Sequence, residues 1–111
     1  MSKTITSPVK RFPGTVTLSD PLTLPQAIAM EQALKLTNEM REGRTPSKRE
    51  LNYALLPGVC GCIESGEIKD WPGLSADKFP GTPNGASAEL MAWLLNEVVA
   101  LYEDAEEIPN E

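Results

Sequence analysis

Two cysteines, Cys60 and Cys62, are the residues of this chain best suited to redox chemistry or metal binding, and one glycine separates them. Either use requires sulfur atoms that converge within a few ångströms. On a helix, residues two positions apart point about 160–200° away from each other. A zinc site needs two further ligands, and the chain has no histidine to supply one. We therefore predict that both cysteines are reduced, with Cys62 in the core and Cys60 near its edge.

Other catalytic arrangements are missing from the sequence. The absence of histidine removes His-based triads, and no serine lies in a Gly-x-Ser-x-Gly turn. No glycine-rich stretch leads into Lys-Ser or Lys-Thr, as a phosphate-binding loop requires. We predict a protein that is not an enzyme and uses no cofactor or metal.

The charge balance is acidic, with 10 basic and 16 acidic residues and a net charge of −6. This balance disfavours binding to a nucleic-acid backbone and favours solubility or a basic partner. Negative charge at a helix C-terminus opposes the helix dipole, so the acidic end of the chain is either a solubilising tail or a surface for a basic partner. The acids concerned are Glu97, Glu103, Asp104, Glu106 and Glu107.

Trp93 is the leading candidate in the sequence for a residue that contacts another protein. It projects from the last predicted helix about 60° outside the apolar arc, among the acids. Two interpretations are open. The connection that carries Trp71 and Phe79 folds over Trp93, or Trp93 is an exposed anchor, since Trp and Tyr dominate interface hot spots. The candidate partner-binding residues are Trp93, Trp71, Tyr53 and Glu97.

The first structural element that the sequence predicts is a short hairpin. The length of 111 residues indicates a single helical domain, 1–111, in which 1–8 and 105–111 are expected to fray. Residues 9–12 and 15–18 flank a Pro-Gly turn and are predicted to form a short N-terminal β-hairpin.

Two helices are predicted next. Thr23 and Gln26 form a capping-box pattern, which starts a first helix from about 24 to 42 that ends at Gly43. The residues of its broad apolar side are Ala29, Met30, Ala33, Leu34, Leu36 and Met40.

The second helix begins at Thr45, the N-cap, and Pro46, its first residue. Pro57 kinks or breaks it. A short further segment runs to about Ser65, with Gly66 as its cap.

A long connection over 67–85 leads to the last helix, 86–107, which Asn84 or Ser87 caps. The apolar arc of that helix spans about 140°. The predicted fold is mainly α, with three to four helices packed as a small bundle beside the hairpin. The residues of the arc are Leu90, Leu94, Leu95, Val98, Leu101 and Tyr102.

The start of the chain lacks the charged end and apolar run of a signal peptide. No stretch approaches the 18 apolar residues that a membrane-spanning helix needs. We therefore expect the protein in the cytoplasm.

Three blocks of short motifs occur along this chain. The first is Arg11-Phe12-Pro13-Gly14 followed by Leu18-Ser19-Asp20-Pro21-Leu22-Thr23. The second is Leu56-Pro57-Gly58-Val59-Cys60. The third is Phe79-Pro80-Gly81-Thr82-Pro83, then Glu89-Leu90, Trp93-Leu94 and Ile108-Pro109-Asn110-Glu111. In this order, along nearly the whole chain, the blocks resemble small tail assembly chaperones of long-tailed bacteriophages and prophages.

The resemblance implies a mostly helical, non-enzymatic protein in the cytoplasm of a bacterial host. Such proteins bind the tape-measure protein, a long chain prone to coiled coils, and keep it soluble until tail-tube subunits polymerise around it. Self-association around so long a client is also expected. The family supplies no catalytic motif, so it assigns no site residue to this chain.

Two other readings remain open. The chain could be a small acidic phage-encoded inhibitor that binds a basic host protein by charge mimicry, in which case its acids should form one array. It could also be an enzyme subunit that uses Cys60 or Cys62, in which case one thiol should have a pKa well below 7.

Overall fold

The computed structural model describes residues 2–80 and 85–106. Within these ranges a three-stranded antiparallel sheet and three α-helices form a mixed α/β domain. The prediction of a mainly α bundle with one hairpin is therefore wrong. Two short 3-10 turns, Pro72–Leu74 and Ala76–Lys78, precede the last helix. The main elements in chain order are β1 (Ser2–Thr6), β2 (Gly14–Ser19), α1 (Leu24–Arg41), α2 (Lys48–Cys60), β3 (Ile63–Ile68) and α3 (Gly85–Glu106).

The first strand of the sheet lies at Ser2–Thr6, not at 9–12 as the sequence indicated, so the start of the chain is paired where fraying was expected. β1 runs antiparallel to β2, with Ile5 opposite Val16. Val9 and Phe12 are instead buried in the connecting loop. Val9 and Phe12 are apolar because they fill the core, and they take no part in strand pairing.

The third strand replaces the predicted continuation of the second helix. α2 ends at Cys60, and residues 63–68 pair with β2, placing Thr17 opposite Ser65. Gly66, the predicted helix cap, lies within β3 at a φ of 146°. A Cβ atom there would lie 2.6 Å from the Thr15 carbonyl oxygen, so the close approach of the strands requires glycine.

α1 confirms its predicted start. The Thr23 side chain accepts a hydrogen bond from the Gln26 backbone, and the Gln26 side chain accepts one from the Thr23 backbone. The helix ends at Arg41, and Gly43 follows with a φ of 78°.

α2 begins two residues later than predicted, because Ser47 and not Thr45 is the N-cap and forms a capping box with Glu50. Pro57 lies inside this helix and does not divide it. A proline removes one backbone donor, here the one that would bond the Tyr53 carbonyl. Both residues have exposed side chains, so this carbonyl is on a side of the helix that water can reach.

α3 forms the centre of the core. Leu90, Leu94 and Val98 are completely buried, as the apolar arc predicted. Ser87 is the third residue of the helix and not its cap, and Asn84 lies outside the described residues. Within the part of the chain that the structure describes, no helix combines the length and the apolar character needed to cross a membrane.

Candidate partner-binding surfaces

The two cysteines are free, with Cys62 buried and Cys60 half-buried, as predicted. Burial raises the pKa of each thiol to about 11. A thiolate is the reactive form of cysteine, so both thiols are held in the unreactive form at neutral pH. Among the described residues, no group of three or more Cys, Asp or Glu side chains could hold a metal ion.

Trp71 lies in the core, with only 2% of its surface exposed. Its indole N–H donates to the Ser75 carbonyl oxygen at 2.8 Å. Its ring meets the Phe79 ring edge to face, with centroids 4.8 Å apart. Trp71 therefore anchors the connection between β3 and α3, and a partner cannot reach it in this conformation.

An open depression of about 360 Å³ lies beside Trp71. All of its lining residues come from the single stretch 66–73. Ligand sites combine polar groups that converge from several elements, and this depression lacks that convergence.

Trp93 and Glu97 lie one turn apart on α3. Trp93 is half-buried and packs against the core, so it is neither enclosed nor a free anchor. Glu97 forms an ion pair with Lys3 of β1, with 3.4 Å between Oε1 and Nζ. This pair ties α3 to the edge of the sheet, and it gives Glu97 a partner within the chain.

Tyr53 is the one predicted site residue with a mostly exposed side chain, at 62%. It lies on α2. The helical repeat of about 100° per residue places it about 140° from Gly58, and Gly58 faces α1, since a Cβ atom there would lie 3.2 Å from the Met30 sulfur. Tyr53 therefore points away from α1 and from the surface that α1 exposes.

Three of the large apolar side chains that are exposed in the described part of the chain lie on α1, where the sequence predicted no binding residue. Leu24 is 73% exposed, Ile28 44% and Leu36 47%. With the exposed Gln32, these residues recur every four positions and so form one continuous ridge along the helix. We call Leu24, Ile28, Gln32 and Leu36 the α1 ridge.

The neighbours of the α1 ridge differ on its two sides. On one side, Ala29 and Ala33 pack close to Gly58 of α2. On the other side lies a row of exposed charged residues, Glu31, Lys35 and Glu39. The ridge is thus an apolar strip between a helix–helix contact and a charged rim.

α1 leaves the ridge uncovered because it is attached to the core by a narrow seam. Of its 18 residues, only Met30 and Thr37 are buried. Apolar residues on α1 occupy more than half of its circumference, so the broad apolar side predicted for this helix includes both the buried Met30 and the exposed Leu36. α1 therefore carries more apolar residues than its narrow contact with the core can bury. That surplus is the feature of the sequence that could have indicated the ridge.

Comparison of the chain with protein-family models, with curated proteins and with solved structures finds no match.

Proposed function

We propose that this protein is a tail assembly chaperone of a long-tailed bacteriophage or prophage. It binds the tape-measure protein and keeps it soluble during tail morphogenesis, without catalysis. The ordered blocks of sequence that resemble this class support the proposal. The observation that carries it is the α1 ridge, an apolar strip with no partner among the described residues.

The form of the α1 ridge suits a helical client. Ridges of residues four apart interdigitate with the grooves of a second helix, and apolar residues at such spacing are the usual anchors when a helix binds a helical surface. Leu24 and Leu36 are 12 residues apart, which spans about 18 Å at 1.5 Å per residue. That length accommodates about three turns of a client helix.

The charges around the ridge favour a reversible complex that stays in solution. Lys35 stands between Glu31 and Glu39 in the exposed row beside the ridge, so the rim offers both signs of charge to a client. A net charge of −6 also opposes self-aggregation through the exposed leucines.

Acids and bases alternate on the described helices, which favours a chaperone over an acidic mimic. A mimic needs its acids in one array. Glu50 pairs instead with Arg44 at 3.0 Å and Glu97 with Lys3, and Lys35 interrupts the row of Glu31 and Glu39. The enzyme reading needs a thiol of low pKa, and burial raises the pKa of both thiols.

Co-expression with the tape-measure protein encoded in the same genome tests the proposal. We expect the wild-type chain to raise the soluble fraction of the tape-measure protein. The double variant Ile28→Ser/Leu36→Ser should lose this effect, because it removes apolar area from the ridge and leaves the core intact.

Tyr53→Ser is the matched control, since it removes an exposed apolar side chain from a different surface. It should act like the wild type. A wild-type chain that leaves the tape-measure protein insoluble would contradict the function. A double variant that is as effective as the wild type would contradict the role of the ridge.

A further inference from the structure

β1 forms an open edge of the sheet. The strand order is β1-β2-β3, so among the described residues β1 has a partner strand on one side only. The opposite edge is partly covered, because the chain turns back after β3 and Trp71 bridges to Ile68. An open edge presents backbone donors and acceptors that a further strand can use.

The hydrogen-bond pattern identifies which residues present these groups. The Ser7 N–H donates to the Gly14 carbonyl oxygen at 2.9 Å, in line with the register of β1 and β2. Because hydrogen-bonded pairs alternate along an antiparallel ladder, Lys3 and Ile5 also direct their backbone groups toward β2. Ser2, Thr4 and Thr6 direct theirs to the open side.

We propose that β1 pairs antiparallel with β1 of a second copy of this chain, about a two-fold axis at Thr4. Ser2 of each copy then lies opposite Thr6 of the other, and the two Thr4 residues face each other. All three pairs join residues whose backbone groups point outward, so the ladder gains two hydrogen bonds at each pair. The product is a continuous six-stranded sheet.

The side chains of β1 favour its own copy in this register. On the outer face, hydroxyl residues meet hydroxyl residues and extend the contact that already joins Thr4 to Thr17, with 3.0 Å between their Oγ1 atoms. On the face toward the helices, Lys3 lies opposite Ile5 of the second copy. A charged side chain that points inward often protects an edge strand from pairing with another chain. The charge of Lys3 is already paired with Glu97, so Lys3 opposes this pairing less than a free lysine would.

The neighbouring registers are worse. Centring the axis on Lys3 would place two lysines directly opposite each other, which destabilises a strand pair. Centring it on Ile5 would set Ser2 against Pro8, and proline has no N–H to donate. The register about Thr4 is the one that keeps all five residues of β1 paired without either defect.

The expected dimer is weak, because one short strand pair buries little area and small interfaces belong to transient complexes. It should form and dissociate with protein concentration. This inference is independent of the proposed function, since it uses the edge of the sheet and not the α1 ridge.

Amide hydrogen exchange of the full chain, measured by NMR over a range of concentrations, tests the proposal. At a concentration where nine-tenths of the chains are dimeric, the Thr4 amide should exchange about tenfold more slowly than in the monomer. The Ile5 amide, which bonds to β2, should show no comparable change.

Sedimentation of variants supplies the second measurement. Thr4→Pro removes the donor at the two-fold axis and should abolish the dimer; proline is tolerated on an edge strand where the N–H faces outward. Thr17→Val removes the same hydroxyl contact with Thr4 without touching the edge, and it should dimerise like the wild type.

A wild-type chain that stays monomeric up to millimolar concentration would overturn the proposal. So would a dimer in which the Thr4 amide exchanges as fast as in the monomer. If Thr4→Pro fails to fold, the exchange of the wild-type amides still decides between these outcomes.

Discussion

At the scale of single residues, side chains of the same type differ in burial and in structural role according to their position in the fold. Trp71 is buried and anchors a connection, whereas Trp93 is half-buried on α3. Leu36 is exposed, although it belongs with the buried Met30 to the broad apolar side predicted for α1. Burial of a side chain is therefore decided by which neighbours cover it, and residue type alone does not reveal it.

The two thiols provide a prediction about reactivity. Burial raises the pKa of Cys60 and Cys62 to about 11, so little thiolate exists at pH 8. We expect alkylation of both residues by iodoacetamide to be slow in the native protein and fast in denaturant, as followed by mass spectrometry. Rapid native modification of either cysteine would contradict the burial and would revive the enzyme reading.

Adjacent residues on α3 provide a matched pair for a second prediction. Leu94 is completely buried, so Leu94→Ala should lower the free energy of unfolding by about 2–5 kcal/mol. Trp93→Ala should also lower it, because Trp93 packs against the core. Chemical denaturation followed by circular dichroism measures both changes.

Binding of the tape-measure protein separates the two roles proposed for Trp93. If the α1 ridge is the binding surface, Trp93→Ala should leave affinity for the client unchanged under conditions where the variant is folded. A large loss of affinity in a variant of full stability would instead establish Trp93 as an anchor.

At the scale of elements, β3 depends on a glycine for its fit to β2. In Gly66→Ala the new Cβ would lie 2.6 Å from the Thr15 carbonyl oxygen and 2.8 Å from the Val16 Cα, and the φ of 146° strains any other residue by about 1–3 kcal/mol. We expect a loss of stability in thermal melts that exceeds this strain alone.

Gly43→Ala is the control for Gly66→Ala. Gly43 also has a positive φ, of 78°, but beyond its own chain neighbours no heavy atom of the described residues lies within 4 Å of the Cβ position. Its cost should be limited to the backbone strain. Equal losses for the two variants would show that the close approach of β2 and β3 is not what requires glycine.

The elements also show which parts of the fold could be predicted from the sequence. α1 was located well, because Thr23 and Gln26 cap it through local contacts that a short stretch of sequence encodes. The burial of Leu90, Leu94 and Val98 on α3 was predicted because the apolar arc of this helix is continuous in the sequence.

The strands could not be predicted in this way. β1 and β3 are mostly polar and exposed, so neither shows the alternation of a half-buried strand. The pairing of Thr17 with Ser65 joins residues far apart in the chain, and no local pattern specifies it. The α1 ridge was missed for a related reason, because its exposure depends on what the sheet and the other helices leave uncovered.

At the scale of the whole molecule, the described residues bury one core and leave uncovered both the α1 ridge and the open edge of β1. A helical client and a second copy of the chain would use different surfaces. Dimerisation through β1 could therefore present two ridges to one long client, which would raise the apparent affinity without any new contact.

The most direct test of whether the α1 ridge binds the tape-measure protein is to map the binding site on the full chain. Overlapping peptides from the tape-measure protein of the same genome are added to the isotope-labelled protein, and backbone NMR shifts are recorded. We predict that one or more peptides shift the resonances of residues 24–36, and that the Ile28→Ser/Leu36→Ser variant loses these shifts. Binding that perturbs other surfaces while the α1 ridge is unaffected would contradict the role of the ridge. No binding by any peptide would contradict the proposed function.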